Sequence, residues 1–282
     1  MKTDPLTSDH AIITPWSENY TEAKFAHIKD LITDADILKS FQNGGELPGG
    51  YGIGIDERCI EYPWFFAQVP VSAKTMLDAG STLNHEAVVH HPALNDKELH
   101  ILTLSPEGNC FWKLGISYLF SDLRSIPIKD EYYDLIVSIS TLEHVGMDNS
   151  ALTGQARYRE NRPTDFILAL QELWRVLKPR GRLFVTLPFG KYTDMGFALQ
   201  FDSRTLKELL CTVPFQSIEQ RFYRYSGNGW QSSTEIDCGN CRYVEWVIEY
   251  FSNPKKGLPQ PIPEEKDLAA AARAVACLQL TK

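Results

Sequence analysis

The chain has 282 residues, 43% apolar and 23% charged, proportions that exclude a disordered protein and leave ample chain to bury a core. Lysine and arginine number 28 against 36 aspartates and glutamates, and the resulting net charge of −8 repels polyphosphate, so no nucleic acid partner is expected. The longest apolar runs, such as residues 135–139, are far shorter than the roughly 20 residues a membrane span needs, so no membrane partner is expected either.

Residues 1–10 carry Asp4, Pro5 and Asp9 where a signal peptide would have a basic and then an apolar stretch, which predicts a cytoplasmic protein. The six cysteines are too sparse for a disulfide framework and are read as reduced thiols. Only Cys238-Gly-Asn-Cys241 has the spacing of a metal or redox pair. With no second pair and no histidine closer in sequence than His144, it is read as a turn, and no metal is predicted.

In chain order, residues 1–70 read as an irregular N-terminal segment with a helix over 30–41 and a loop over 44–54, where glycines fall in two adjacent pairs. Glu61-Tyr-Pro-Trp64-Phe-Phe66 sets a carboxylate beside flat apolar surface. It is read either as a cover over a site, closed by Tyr51, or as core packing. From residue 71 the texture changes to strand-like runs at 75–78, 99–104, 117–120, 133–140 and 182–187, separated in several places by helix patterns.

The clearest helix spans 164–177, where Phe166, Leu170, Leu173, Trp174 and Leu177 form one apolar stripe ended by Lys-Pro-Arg-Gly. A second spans 203–210 with Ser203 as N-cap, and 216–225 and 273–281 read as the last two strands. The fold class expected is α/β, a doubly wound, mostly parallel sheet. Residues 226–263 form an aromatic insertion within a single domain over 71–282.

Ligands of such sheets sit beyond the carboxyl ends of the strands. The first strand ends in Asp78-Ala-Gly80-Ser81, where Gly80 either lets backbone approach a ligand or simply makes a turn. The third is followed by Asp122-Leu123, a carboxylate able to accept from an exocyclic amine or to cap a helical turn. The fourth ends in Ser140-Thr-Leu-Glu143-His144-Val-Gly146, two ionisable groups at a sheet edge where burial is costly without a partner. His85, His90 and His91 are read as a solvated loop.

Taken together with Ile126-Pro127, Tyr133-Asp134-Leu-Ile and Leu173-Trp-Arg-Val-Leu-Lys178-Pro-Arg-Gly181, these strings resemble the class I S-adenosylmethionine-dependent methyltransferases over about residues 60–225. The motif style is closest to bacterial enzymes acting on small molecules and sugars. The resemblance implies a Rossmann-like sheet of seven strands with a C-terminal antiparallel strand. It implies S-adenosyl-L-methionine as cofactor, bound through Asp78, Gly80, Ser81, Thr103, Asp122, Leu123 and Ser140. Two positions depart from the family pattern: Thr82 and Asn84 replace further glycines, and the second strand ends in Thr103 without an acid for the ribose hydroxyls, a role open to Glu107.

The acceptor expected is a small molecule held by Tyr51, Glu61, Trp64 and Tyr192, with His144 and Glu143 as the catalytic pair. His144 either accepts the acceptor's proton or only holds a loop carbonyl. A nicotinamide oxidoreductase is disfavoured because G-x-G-x-x-G does not follow the first strand. The other alternative is a scaffold subunit that keeps the fold without turnover.

Overall fold

The computed structural model describes residues 13–282, so the decapeptide on which the localisation argument rests lies outside the described residues. The chain opens with α1 (Tyr20–Leu31), α2 (Ala35–Asn43) and α3 (Arg58–Phe66). The single helix expected over 30–41 is two elements. Asp34 starts α2 by accepting from the Asp36 and Ile37 amides, and Gly44 ends it at φ +67°.

Next come β1 (Thr75–Ala79), α4 (Glu86–Val89), β2 (Glu98–Thr103), β3 (Ser117–Phe120), β4 (Tyr133–Ile139), α5 (Ser150–Thr153), α6 (Phe166–Val176) and β5 (Leu177–Pro188). A small hairpin, β6 (Thr193–Asp194) and β7 (Leu199–Gln200), leads into α7 (Ser203–Leu210). The chain ends with β8 (Ser217–Ser226), β9 (Gly229–Ser233), α8 (Glu235–Cys238), α9 (Glu245–Ser252) and β10 (Ala274–Thr281). The N-cap of α7 is Asp202, one residue earlier than expected. Its carboxylate takes the Thr205 amide while the Thr205 hydroxyl is placed against the Asp202 backbone, a reciprocal capping box.

The main sheet runs β3-β2-β1-β4-β5-β10-β8-β9. β3, β2, β1, β4 and β5 are parallel, and β10 inserts antiparallel between β5 and β8. The sheet has eight strands where seven were expected. The extra edge strand, β9, arises because Gly227-Asn228 closes a two-residue hairpin between Ser226 and Gly229, so the aromatic insertion begins by extending the sheet. Strand order reverses between β1 and β4, which is where a crevice opens at the carboxyl edge.

Alternating side chains bury both faces. Leu135, Val137 and Ile139 of β4, with Phe184 of β5, pack toward α1 to α3. Ile136, Leu183, Val185 and Leu187 pack toward α6 and α7. The crossover from β1 to β2 holds only the four-residue α4 and the 3-10 turn Pro92–Leu94, and β2 to β3 only the single 3-10 turn Trp112–Leu114. The N-terminal helices supply the layer those crossovers lack. α3 is therefore interior to the molecule and does not form a cover: Trp64 is 1% exposed, and Trp64 and Phe65 each meet Phe184 edge-on at 5.5 Å.

The histidines expected in a solvated loop are ordered. His85 caps α4 by accepting from the Ala87 amide and stacks on Phe25 at 3.4 Å, while His91 accepts from the Ala93 amide and its Nε2 meets the Ile32 carbonyl. Among the described residues no helix is long and apolar enough to cross a membrane. Nor is there a group of three or more His, Cys, Asp or Glu side chains placed to hold a metal; Cys238 and Cys241 are buried thiols.

Candidate functional site

The end of β1 is built around a carboxylate that faces its own loop. Asp78 is fully buried and accepts from the Thr82 amide and hydroxyl at 3.2 Å each and from the Leu83 amide at 2.8 Å. Burial pushes its pKa up to about 7, with the three hydrogen bonds pulling the other way. Gly80 stands at φ +128°, and a Cβ there would sit 2.1 Å from Thr141 Oγ1, so only glycine lets the ends of β1 and β4 approach. Ser81 follows at φ +63°, and its hydroxyl donates to Glu107 Oε2 at 2.8 Å.

The end of β4 carries a second left-handed residue that is not glycine, Ser140 at φ +37°. Its amide donates to the Thr186 carbonyl at 3.1 Å and to Thr186 Oγ1 at 3.0 Å, and its hydroxyl donates to Glu61 Oε1 at 2.5 Å. The other oxygen of Glu61 takes Arg58 Nη1. One buried carboxylate from α3 thereby braces the edge of the sheet.

The 3-10 turn Leu142–His144 follows. At three residues per turn, Thr141 and His144 share a side, and both lie in the wall of the adjoining cavity. His144 Nδ1 lies 2.8 Å from the Phe197 carbonyl. A carbonyl only accepts, so Nδ1 carries the proton and Nε2 keeps its lone pair. Burial pushes the His144 pKa down to about 4, the Phe197 carbonyl opposing and Arg58 assisting. Glu143, on the other side of the turn, is 2% exposed, and its Oε2 has no hydrogen-bond partner. Burial pushes its carboxyl well above the usual range, and the charge of Glu61 adds to the effect.

A cavity of about 640 Å³ lies beyond the ends of β1, β2 and β4. Asp122, Leu123 and Arg124 form one end, Thr103, Leu104 and Glu107 one side, and Gly80, Ser140, His144 and Arg58 the other end. The segment after β4 covers it: Leu152, Tyr158 and Glu160 are in the wall, and the Tyr158 hydroxyl donates to the Leu104 carbonyl at 2.9 Å. A second groove, of about 1040 Å³ between α1 and α4, is lined in part by His85, His90 and His91 but by none of the residues expected to serve cofactor, acceptor or catalysis.

Six of those residues, Gly80, Thr103, Asp122, Leu123, Ser140 and His144, meet in the wall of the first cavity. The others lie outside that wall, each for a visible reason. Asp78 and Ser81 shape the loop beneath it, and Glu143 points away from it. Glu61 is occupied by Arg58, Ser140 and Thr186. Trp64 is core, and Tyr51 is buried with its hydroxyl given to the Cys59 carbonyl at 2.7 Å. Tyr192 packs on the α6 and α7 face beneath Arg204. Arg58, Arg124, Tyr158 and Glu160 were not anticipated. Arg124 had a readable signal, an arginine two residues after an acid at a strand end; Tyr158 and Glu160 had none.

Residues 94–185 match the family model described as "Methyltransferase domain". The match spans 92 of the 282 residues and identifies a methyltransferase domain there. No curated protein matches the chain. Among solved structures, the [4+2]-cyclase SpnF is 18% identical, with 91% of this chain and 94% of that chain covered at a TM-score of 0.50, a likeness of fold. The Burkholderia thailandensis 1,6-didemethyltoxoflavin-N1-methyltransferase is 13% identical, with 74% and 71% covered at a TM-score of 0.43. N-methyltransferase NodS from Bradyrhizobium japonicum is 12% identical, with 74% and 86% covered at 0.40.

The residues present suit S-adenosylmethionine, the cofactor the domain match implies. The cavity volume is that of a small-molecule site, roughly 300 to 1,000 Å³. An acid beside an apolar side chain at one end matches an amino-substituted flat ring. Glu107 stands in the side wall where the second strand lacks an acid.

Proposed function

We propose that the protein transfers a methyl group from S-adenosylmethionine to a small-molecule acceptor. What supports this reading most is one observation: side chains from the ends of β1, β2 and β4, and from the turn after β3, line a single covered cavity. When bound, the cofactor supplies an electrophilic methyl on sulfur, and the work left to the protein is to align acceptor and methyl and to exclude water.

Asp122 would accept from the ring amine, Leu123 would pack on the ring edge, and Thr103 with Glu107 would hold the ribose hydroxyls. Backbone at Gly80 and Ser140 would flank the other end. There His144 presents Nε2 as an unprotonated acceptor, its tautomer set by the Phe197 carbonyl. For a hydroxyl acceptor, that nitrogen takes the proton as the oxygen attacks. For an amine acceptor, a neutral lone pair on the substrate suffices. Thr141, Val145 and Gly146, with the cover formed by 149–160, close the reacting end against water.

The net charge of −8 favours neutral or cationic small molecules over nucleic acid as acceptors. The test is to incubate the protein with the cofactor and a panel of hydroxyl- and amine-bearing small molecules, following S-adenosylhomocysteine release and a methylated product by mass. Product formation that falls at least about tenfold in His144→Gln supports both the transfer and the base. Binding of the cofactor with no product across the panel favours the scaffold reading.

A further inference from the structure

Asp122, the residue read as the acceptor for the ring amine, is itself held by a neighbour with no assigned role. Arg124 grips it as a fork: Nε donates to Oδ1 at 2.9 Å and Nη2 to Oδ2 at 2.5 Å, and the Arg124 amide adds a third bond to Oδ1 at 2.8 Å. A carboxylate offers about four acceptor sites, two on each oxygen. Both sites on Oδ1 are filled and one on Oδ2 is filled, leaving a single lone pair, on Oδ2.

The remaining nitrogen of the same guanidinium reaches the cover. Arg124 Nη1 lies 2.8 Å from Glu160 Oε2 and 2.6 Å from Asp165 Oδ2. Glu160 belongs to the segment over the cavity, and Asp165 precedes α6. Asp122, Arg124 and Glu160 all line the cavity. One planar, permanently charged group thus joins the ring end of the cavity to its cover.

We propose that Arg124 is a positioning residue for the nucleobase. Its fork leaves Asp122 with one acceptor for one exocyclic N–H, and its third arm ties closure of residues 149–165 to that acceptor. This rests on the cavity being the cofactor site. It adds to that reading the means by which an amino-substituted ring is told from one bearing a carbonyl. A carbonyl brought to Oδ2 would set acceptor against acceptor, and the Arg124 fork keeps Asp122 from swinging aside or taking up a proton that it could donate to that carbonyl.

The experiment titrates S-adenosylhomocysteine and its deaminated analogue S-inosylhomocysteine into the full-length protein and into Arg124→Ala, Arg124→Lys and Glu160→Gln. Tryptic cleavage after the exposed Arg157 and Arg159 is followed in parallel. The wild type is expected to prefer the amino ligand by at least about tenfold, and either ligand-bound form to resist cleavage. Arg124→Ala loses most of that preference, and Arg124→Lys, a point charge without a fork, does not restore it. Glu160→Gln keeps the preference and loses protection of Arg157 and Arg159. A folded Arg124→Ala that discriminates as the wild type does overturns the proposal. If the alanine variant does not fold, a lysine variant with wild-type discrimination overturns it equally. Absence of binding to the wild type fails the cofactor reading itself, and this proposal with it.

Discussion

Ser140 Oγ donates to Glu61 Oε1 over 2.5 Å, joining two residues 79 positions apart and fixing the strained end of β4 to the buried helix α3. Thr186 Oγ1 donates to the same oxygen at 2.6 Å, and Arg58 holds the other. Glu61 is therefore a buried brace behind the cavity, and its removal leaves a guanidinium and two hydroxyls without their partner.

Glu61→Ala is predicted to lower stability by about 3–5 kcal/mol, because a buried charge loses its counterion. For a domain of this size that is a fall in Tm of about 10 °C. Glu61→Gln, which retains an acceptor for Ser140 and Thr186, is predicted to lose less. Thermal denaturation of both variants checks the order.

Trp64 was a candidate for acceptor binding, and its burial against Phe184 assigns it to the core. Trp64→Ala is predicted to cost about 3–5 kcal/mol through the cavity it opens. The affinity of the folded fraction for S-adenosylhomocysteine is predicted to stay within about twofold, since the side chain is absent from the wall. Denaturation and titration of one preparation separate the two effects.

His144 gives a pH dependence of definite sign. Its pKa falls from 6.5 in the open chain to about 4 when folded, so between those values the unfolded chain binds a proton that the folded chain does not. Its contribution is fully present above pH 6.5 and is lost as pH falls toward 4, by up to about 3 kcal/mol. The fall in Tm from pH 7 to pH 5 is predicted to be smaller in His144→Gln than in the wild type. If His144 is the base for a hydroxyl acceptor, the acid limb of kcat/KM lies near pH 4 to 5, well below the ordinary histidine range.

Glu107 accepts from Ser81 and Asn84 on Oε2. Glu107→Gln is predicted to weaken S-adenosylhomocysteine binding about tenfold, the usual scale for a lost charge-assisted hydrogen bond to a hydroxyl. Its Tm is predicted to change little. Calorimetry beside a melting curve distinguishes this from a purely structural role.

The parallel strands were legible because apolar runs buried on both faces leave a continuous signal, as in 133–140, and Ser117–Phe120 was placed to the residue. β9 was not, because its short edge run is polar at three of five positions, Gln231, Ser232 and Ser233, and only the Gly227-Asn228 turn betrays it. Of the site, the wall built from strand ends was legible, since strand ends can be read locally. The braces were not: that Glu61 reaches Ser140, or that Arg124 reaches Glu160, depends on packing between distant segments, which no spacing records. Tyr51 in its glycine-rich break and Trp64 in an aromatic run beside the Glu61 carboxylate were candidates because such residues suit a lid and a core alike, and burial alone separates the two.

Calorimetric titration of S-adenosylhomocysteine into the wild type and Asp122→Ala, with NADH as control, tests the central claim most directly. The account predicts micromolar binding to the wild type, at least about tenfold weaker binding to the variant, and none of NADH. Wild type that binds no S-adenosylhomocysteine, or that binds it equally well without Asp122, would contradict it.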